Sequence, residues 1–272
     1  MPVITHISSP LVSAVWLHTN LEAENLIVLD ATINKQIDEH SVRIPKARFF
    51  DIKKKFSDTE SSFPSTLPSA DQFQQEARKL GIQKNSVIIV YDDKGIYSSA
   101  RCWWLFKVFG FTNIAVLNGG LPEWKNKGHR INTYDNFEFF EGDFVANFNP
   151  SLMTNFEGVN LFSKDNNVLI IDARSEARFT CQVDEPREGL RRGTIPNSLN
   201  LPYTELLNDN LMKPKSELQV FFNNLKLENN KVVFSCGSGI TACILALGAT
   251  VCEYKDLIVY DGSWTEYGTL TN

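Results

Sequence analysis

The chain is written twice, and that duplication limits its fold more than any other feature. Leu26-Ile27-Val28-Leu29-Asp30-Ala31 in the first half answers Val168-Leu169-Ile170-Ile171-Asp172-Ala173 in the second. Arg43-Ile44-Pro45-Lys46-Ala47 answers Thr194-Ile195-Pro196-Asn197-Ser198, and Val87-Ile88-Ile89-Val90-Tyr91-Asp92 answers Lys231-Val232-Val233-Phe234-Ser235-Cys236. Ile114-Ala115-Val116-Leu117-Asn118-Gly119-Gly120 answers Leu257-Ile258-Val259-Tyr260-Asp261-Gly262. Asp172 follows Asp30 by 142 residues, Cys236 follows Asp92 by 144, and Gly262 follows Gly120 by 142. One order of landmarks at nearly one spacing means one supersecondary pattern built twice.

A length of 272 residues leaves room for two domains of about 130 residues each. In each copy the apolar runs are short and continuous rather than alternating, so both faces of the resulting strands are covered. That predicts an α/β fold: two tandem domains, each a mainly parallel sheet flanked by helices. The expected boundaries are 1–135 for the first domain, 136–155 for a linker and 156–272 for the second. The linker lies within 128–160, a stretch rich in Asn, Phe and acidic residues that reads as wrapping the surface. Helices are expected at 73–80, with Asp71 as cap and Gly81 as stop, and at 216–225; residues 53–68 read as a long loop.

A net charge of -5 supplies no basic field, so neither nucleic acid nor an acidic membrane is an expected partner. The N-terminal residues lack the basic and apolar regions of a signal peptide. No run approaches the roughly 18 apolar residues that cross a bilayer. Five cysteines, an odd number without CxxC spacing, argue against a disulfide framework or a zinc site. A reduced, cytoplasmic setting is expected, and it suits a free working thiol.

Cys236 is the candidate for that thiol. A β-branched run delivers it to the small-residue loop Gly237-Ser238-Gly239, and an apolar helical stretch follows. Amide N–H groups converging in such a loop, with a helix N-terminus behind them, favour the thiolate, which is the nucleophilic form. A phosphate-handling cysteine needs an arginine about six residues on, to clamp a tetrahedral dianion. Ala242 stands there. The shorter loop from Cys236 to Thr241 fits a persulfide instead. The first copy carries Asp92 at the matching place and reads as a silent structural partner.

These residues resemble the two-domain rhodanese family, and within it the 3-mercaptopyruvate sulfurtransferases. Cys236-Gly237-Ser238-Gly239-Ile240-Thr241 is similar to the family's CGSG[VI]T loop, and Tyr260-Asp261-Gly262-Ser263-Trp264-Thr265-Glu266-Tyr267 to its YDGSWxEW segment. The stretch 184–193 resembles the one before the family's second IPG turn. Tyr91-Asp92-Asp93, Arg101-Cys102-Trp103-Trp104 and Gly119-Gly120-Leu121 fit its inactive domain. The resemblance implies double displacement: Cys236 takes sulfur from 3-mercaptopyruvate, pyruvate leaves, and an acceptor thiol such as thioredoxin (or cyanide) removes the persulfide sulfur. It implies no metal and no organic cofactor. Cys236 and Ser238 are the implied catalytic residues. Arg178 and Arg187 match the family's carboxylate-binding arginines, and Gly237, Gly239, Ile240 and Thr241 would offer N–H groups to the sulfur.

Plainer readings stand beside these. Ser238 can be a turn former, Arg178 and Arg187 can pair with Glu176, Asp184 or Glu185, and Arg174 reads as a structural ion pair. Arg191 and Arg192 read as solvated, Cys243 as core. Thiosulfate is the alternative donor, yet its relatives carry Arg and Lys where Gly237 and Ser238 stand, and a neutral loop compensates a dianion poorly. A non-turnover persulfide relay is the reading outside enzymology. One departure is clear: the HIPGA motif, expected in both halves, loses both histidines and both glycines at 43–47 and 194–198. Asn197 tolerates a positive φ; Lys46 is a poor choice for one.

Overall fold

The computed structural model describes residues 3–134, 139–227 and 231–271. The first half runs β1 (Leu11–Val12), α1 (Ala14–Asn20), β2 (Leu26–Asp30), β3 (Val42–Arg43), β4 (Arg48–Phe49), α2 (Ala70–Lys79), β5 (Val87–Tyr91), α3 (Ser99–Val108), β6 (Ile114–Leu117), α4 (Gly120–Asn126) and β7 (Asn132–Thr133). The second runs β8 (Met153–Thr154), α5 (Phe156–Phe162), β9 (Val168–Asp172), α6 (Glu176–Phe179), β10 (Ser198–Asn200), β11 (Leu207–Asn208), β12 (Leu211–Met212), α7 (Lys215–Asn224), β13 (Lys231–Ser235), α8 (Ala242–Val251), β14 (Leu257–Tyr260) and α9 (Ser263–Leu270). Two compact units result: Met1–Asp58, Leu67–Phe148 and Asp209–Leu211 in one, Thr59–Thr66, Asn149–Asn208 and Met212–Asn272 in the other.

Each unit holds a five-stranded sheet, ordered β1-β6-β5-β2-β4 and β8-β14-β13-β9-β10. Every pairing in both is parallel. The repeats seen along the chain are therefore repeats of strand position. β5 is buried at all five residues and β13 at four, as strands between two helical layers must be. Register makes the match residue by residue: Asp30 faces Tyr91, and Asp172 faces Ser235. Asp92 and Cys236 are thus each the first residue past the C-terminal end of a central strand, the edge where open α/β sheets bind ligands.

In the first unit one face buries Val28, Ile89, Tyr91, Ala115, Leu117 and Trp124 against α1 and α4. Its aromatic cluster includes the stacked pairs Phe50–Phe56 (3.6 Å) and Phe73–Phe109 (4.3 Å), with Phe144 edge-on to Phe73. In the second unit Val233, Ile258, Tyr260 and Trp264 fill the corresponding layer. α8 is buried from Ala242 to Ala249, in keeping with its unbroken apolar run.

Local chemistry sets the ends. Helix α2 is capped by Ser69, whose Oγ accepts the Gln72 N–H at 3.1 Å, and not by Asp71, which lies in the first turn. A serine before the helix leaves its own backbone extended and still reaches N3, whereas Asp71 is already helical. Within the stretch expected as linker, residues 136–138 lie outside the described residues. Residues 142–147 are stitched onto the first unit by Gly142 N–H to Arg78 O, Phe144 N–H to Ile82 O and Asn147 N–H to Phe109 O. Met153–Thr154 is an edge strand on β14. Among the described residues, no helix is long and apolar enough to cross a membrane.

Candidate active site

Cys236 leaves β13 into a loop that α9 holds by its carbonyls. Trp264 N–H donates to Cys236 O at 3.0 Å, and Thr265 donates to Gly237 O through its N–H (2.9 Å) and its hydroxyl (2.6 Å). In a trans peptide the N–H opposes the C=O, so these bonds turn the amides of Gly237 and Ser238 away from α9. Gly239 follows at φ +75°. A left-handed residue there makes successive N–H groups converge, the geometry of an anion nest.

The oxygen beneath the cysteine belongs to Ser263. It accepts the N–H of Cys236 (3.0 Å) and of Gly239 (3.2 Å), lies 2.9 Å from Tyr260 O, and is 3.7 Å from Cys236 Sγ. The role expected for Gly239 is thereby corrected: its N–H is engaged by Ser263, so it serves the site through its conformation. Ser263 is fully buried and adopts φ +51°, a strained value for serine that the bonds around it enforce.

Cys236 itself is 1% exposed, enclosed in a loop bonded to α9 and Ser263. Ser263 Oγ lies 3.7 Å from its Sγ, and Gly237, Ser238 and Thr241 in the loop that follows are half-buried. The first unit displays what this scaffold accommodates. Asp92, at the register of Cys236, receives the N–H groups of Lys94 (2.9 Å), Tyr97 (2.8 Å) and Ser99 (2.8 Å). In that copy an internal carboxylate fills the position an anion would take.

Arginines meet the second loop from the side of α6. Arg174, with 0% side-chain exposure, pairs with Asp172 (2.7 Å) and Glu185 (2.7 Å) and donates to Gly193 O. Burial opposes its charge, but Asp172 and Glu185 more than offset that and hold its pKa above the ordinary arginine value. Glu185 also takes Arg178 through Nε (3.3 Å) and Nη2. Arg178 retains 24% side-chain exposure, and its guanidinium lies over Gly237, where a Cβ would meet Nη2 at 2.9 Å. Cys236, Gly237, Ser263, Arg178 and Glu185 are thus brought together. Ser238 is half-buried; Arg187 is exposed and has no ion partner among the described residues.

Other expectations divide. Arg174 is the structural ion pair expected, and Cys243 is core, its Sγ 3.3 Å from Gly239 O. Arg191 is not solvated: it stacks on Trp264 (4.8 Å) and donates to Gly268 O and Thr271 O, tying the 184–193 segment to α9. Lys46 and Asn197 do take φ +64° and +59°. Arg43, at the missing histidine, donates to Thr133 O and Ala47 O and lies over the Tyr134 ring. Ser263 and Glu185 were not legible as site residues, although Ser263 lies inside the segment singled out as a motif. Among the described residues, no group of three or more His, Cys, Asp or Glu side chains could hold a metal ion.

A doubled parallel sheet with one cysteine-bearing loop defines a class, and comparison agrees. The family model for the rhodanese-like domain matches residues 13–127 and again 158–269. The chain belongs to the rhodanese family. Among curated relatives, it is 36% identical over 266 residues to the 3-mercaptopyruvate sulfurtransferase of Escherichia coli strain K12, covering 94% of both chains. It is 36% identical over 291 residues to the mitochondrial thiosulfate/3-mercaptopyruvate sulfurtransferase 1 of Arabidopsis thaliana, covering 96% of this chain and 76% of that one. The crystal structure of SseA from Escherichia coli, described as a 3-mercaptopyruvate sulfotransferase, superposes with a TM-score of 0.83 at 33% identity over 94% of this chain and 99% of that chain.

Proposed function

We propose that this chain is a 3-mercaptopyruvate sulfurtransferase working through a persulfide on Cys236. One observation carries the reading: a thiol at the C-terminal end of a central parallel strand, in a nest-forming loop, with a guanidinium laid across the next residue. The Cys236 thiolate attacks the sulfur of the donor. The carbon–sulfur bond breaks, its electron pair passes to carbon, and the enolate of pyruvate leaves and is protonated. The outer sulfur stays on Cys236 until an acceptor thiolate attacks it and Cys236 departs as thiolate. Arg178 and Arg187 hold the donor's carboxylate, while Ser238 donates to the leaving enolate oxygen. The N–H groups of Gly237, Ile240 and Thr241 bear on the charged sulfur. A dithiol protein of the thioredoxin type, in a reduced cytoplasm, is the acceptor this chemistry suits. The first domain, 1–135, is silent because Asp92 occupies the nucleophile's place, and 156–272 is catalytic.

Intact mass after exposure to mercaptopyruvate tests the proposal: wild type gains one sulfur atom and releases pyruvate, and Cys236→Ser does neither. Sulfur uptake from a donor protein without pyruvate release from mercaptopyruvate would make the chain a relay instead. Faster turnover of thiosulfate than of mercaptopyruvate would reverse the donor assignment. Arg187→Ala is expected to raise KM for mercaptopyruvate more than KM for thiosulfate; equal effects would remove its role.

A further inference from the structure

A guanidinium has two edges that can grip a carboxylate, one formed by Nε and an Nη, the other by the two Nη groups. Glu185 takes the first edge of Arg178 through Nε and Nη2. The second edge is left facing the loop: above Gly237 the nearest heavy atoms are Nη2 at 2.9 Å, Nη1 at 3.7 Å and Cζ at 3.8 Å from a Cβ position that glycine leaves empty. Glu185 is itself buried and paired twice. Its side chain is 1% exposed and its other partner is Arg174, which Asp172 and Gly193 O fix in turn. The row Asp172, Arg174, Glu185, Arg178 alternates in sign and its charges cancel, and its end at the loop is the second edge of Arg178.

Resting on the sulfurtransferase reading above, we propose that Glu185 is a positioning residue that sets donor preference. By occupying the side edge of Arg178 it holds the end edge in the space Gly237 keeps clear, one residue from Cys236, and from there that edge meets the carboxylate of a 2-oxo acid donor. Any side chain at position 237 competes with that edge for the same space. Arg178 cannot step aside cheaply, because Glu185 holds it.

Two variants test this, each assayed with mercaptopyruvate and with thiosulfate, which has no carboxylate. Glu185→Gln keeps the shape and removes the charge. Gly237→Ala fills the space without backbone penalty, since Gly237 is not in the left-handed region. Both are expected to raise KM for mercaptopyruvate about tenfold or more, the size of one lost charge-assisted contact, and to raise KM for thiosulfate by less. A parallel rise for both donors, or no rise for either, overturns the proposal. Should Glu185→Gln fail to fold, Glu185→Asp takes its place: the shorter side chain keeps the charge and draws Arg178 out of position, with the same outcomes expected. A second readout is independent of turnover: the rate of Cys236 alkylation by iodoacetate relative to iodoacetamide. That ratio is expected to fall about tenfold in each variant, and an unchanged ratio refutes the seat. Absence of pyruvate release from the wild type sinks the sulfurtransferase reading itself, and the alkylation ratio still judges Glu185.

Discussion

Replacing Ser263 by alanine removes one oxygen from the interior of the second unit, an oxygen that accepts the amides of Cys236 and Gly239, and leaves the buried Cys236 donor without its acceptor. The void is smaller than a water molecule, so solvent does not replace the hydroxyl. An unsatisfied buried donor costs about 1–3 kcal/mol, against a total stability for natural proteins of about 5–15 kcal/mol. Glycine at the same position loses the same oxygen but relieves the φ of +51°, which returns about 1 kcal/mol. Ser263→Gly is therefore expected to be more stable than Ser263→Ala, the opposite of the usual order within a helix. Urea unfolding gives the stabilities, and hydrogen exchange reads the Cys236 amide directly: protected in the wild type, it should exchange rapidly in both variants. Undiminished protection of the Cys236 amide in Ser263→Ala would show that the hydroxyl is not its acceptor and refute the hold of Ser263 on the loop.

Lys46→Gly should stabilise by about 0.5–1 kcal/mol, since glycine suits φ +64° and the exposed pair with Glu22 is worth little. Asn197→Gly should gain less or lose, because Asn197 Nδ2 donates to Ser163 O at 2.8 Å; matched urea midpoints compare the two. Gly142→Ala should cost about 2 kcal/mol or more, because the added methyl would collide with the Ile82 carbonyl and break the bond from Phe144 N–H; an unchanged midpoint would contradict the close approach. His129, stacked on His18 at 4.2 Å, is held below the ordinary histidine pKa of 6.5 by burial and then by the charges of His18 and Lys127. A base depressed on folding leaves stability intact above its unfolded pKa and erodes it as pH falls through that value. The urea midpoint should begin to drop as pH falls through about 6.5, and His129→Gln should flatten that slope.

The duplication, the parallel sheets and the position of Cys236 could be read along the chain because each depends on neighbours in sequence. Continuous apolar runs declare strands buried on both faces, and a cysteine after such a run, followed by glycines, declares a loop at a strand's C-terminal end. The helix of 70–79 was legible too, although its cap is Ser69 rather than Asp71. Arg178 could be singled out only by resemblance, and the motif containing Ser263 was visible without its chemistry. Nothing local distinguishes a serine that accepts two amides from 24 and 27 residues away, or a glutamate that clamps two arginines. Arg191 illustrates the same limit, since its charge suggests solvent while Trp264 and the end of α9 claim it.

What the chain order determined by itself was the pair of α/β sheets and which copy bears sulfur where the other bears a carboxylate, since side-chain pattern dictates strand, helix and turn over short spans. Only the tertiary structure decided how the loop is held, because its bonds to α9, Ser263 and Arg178 join segments that meet solely through the closing of the sheet. Strand register at β9 and β13 brings Asp172 and Ser235 level, and from that alignment Arg174, Glu185 and Arg178 follow in sequence to the residue beside the thiol.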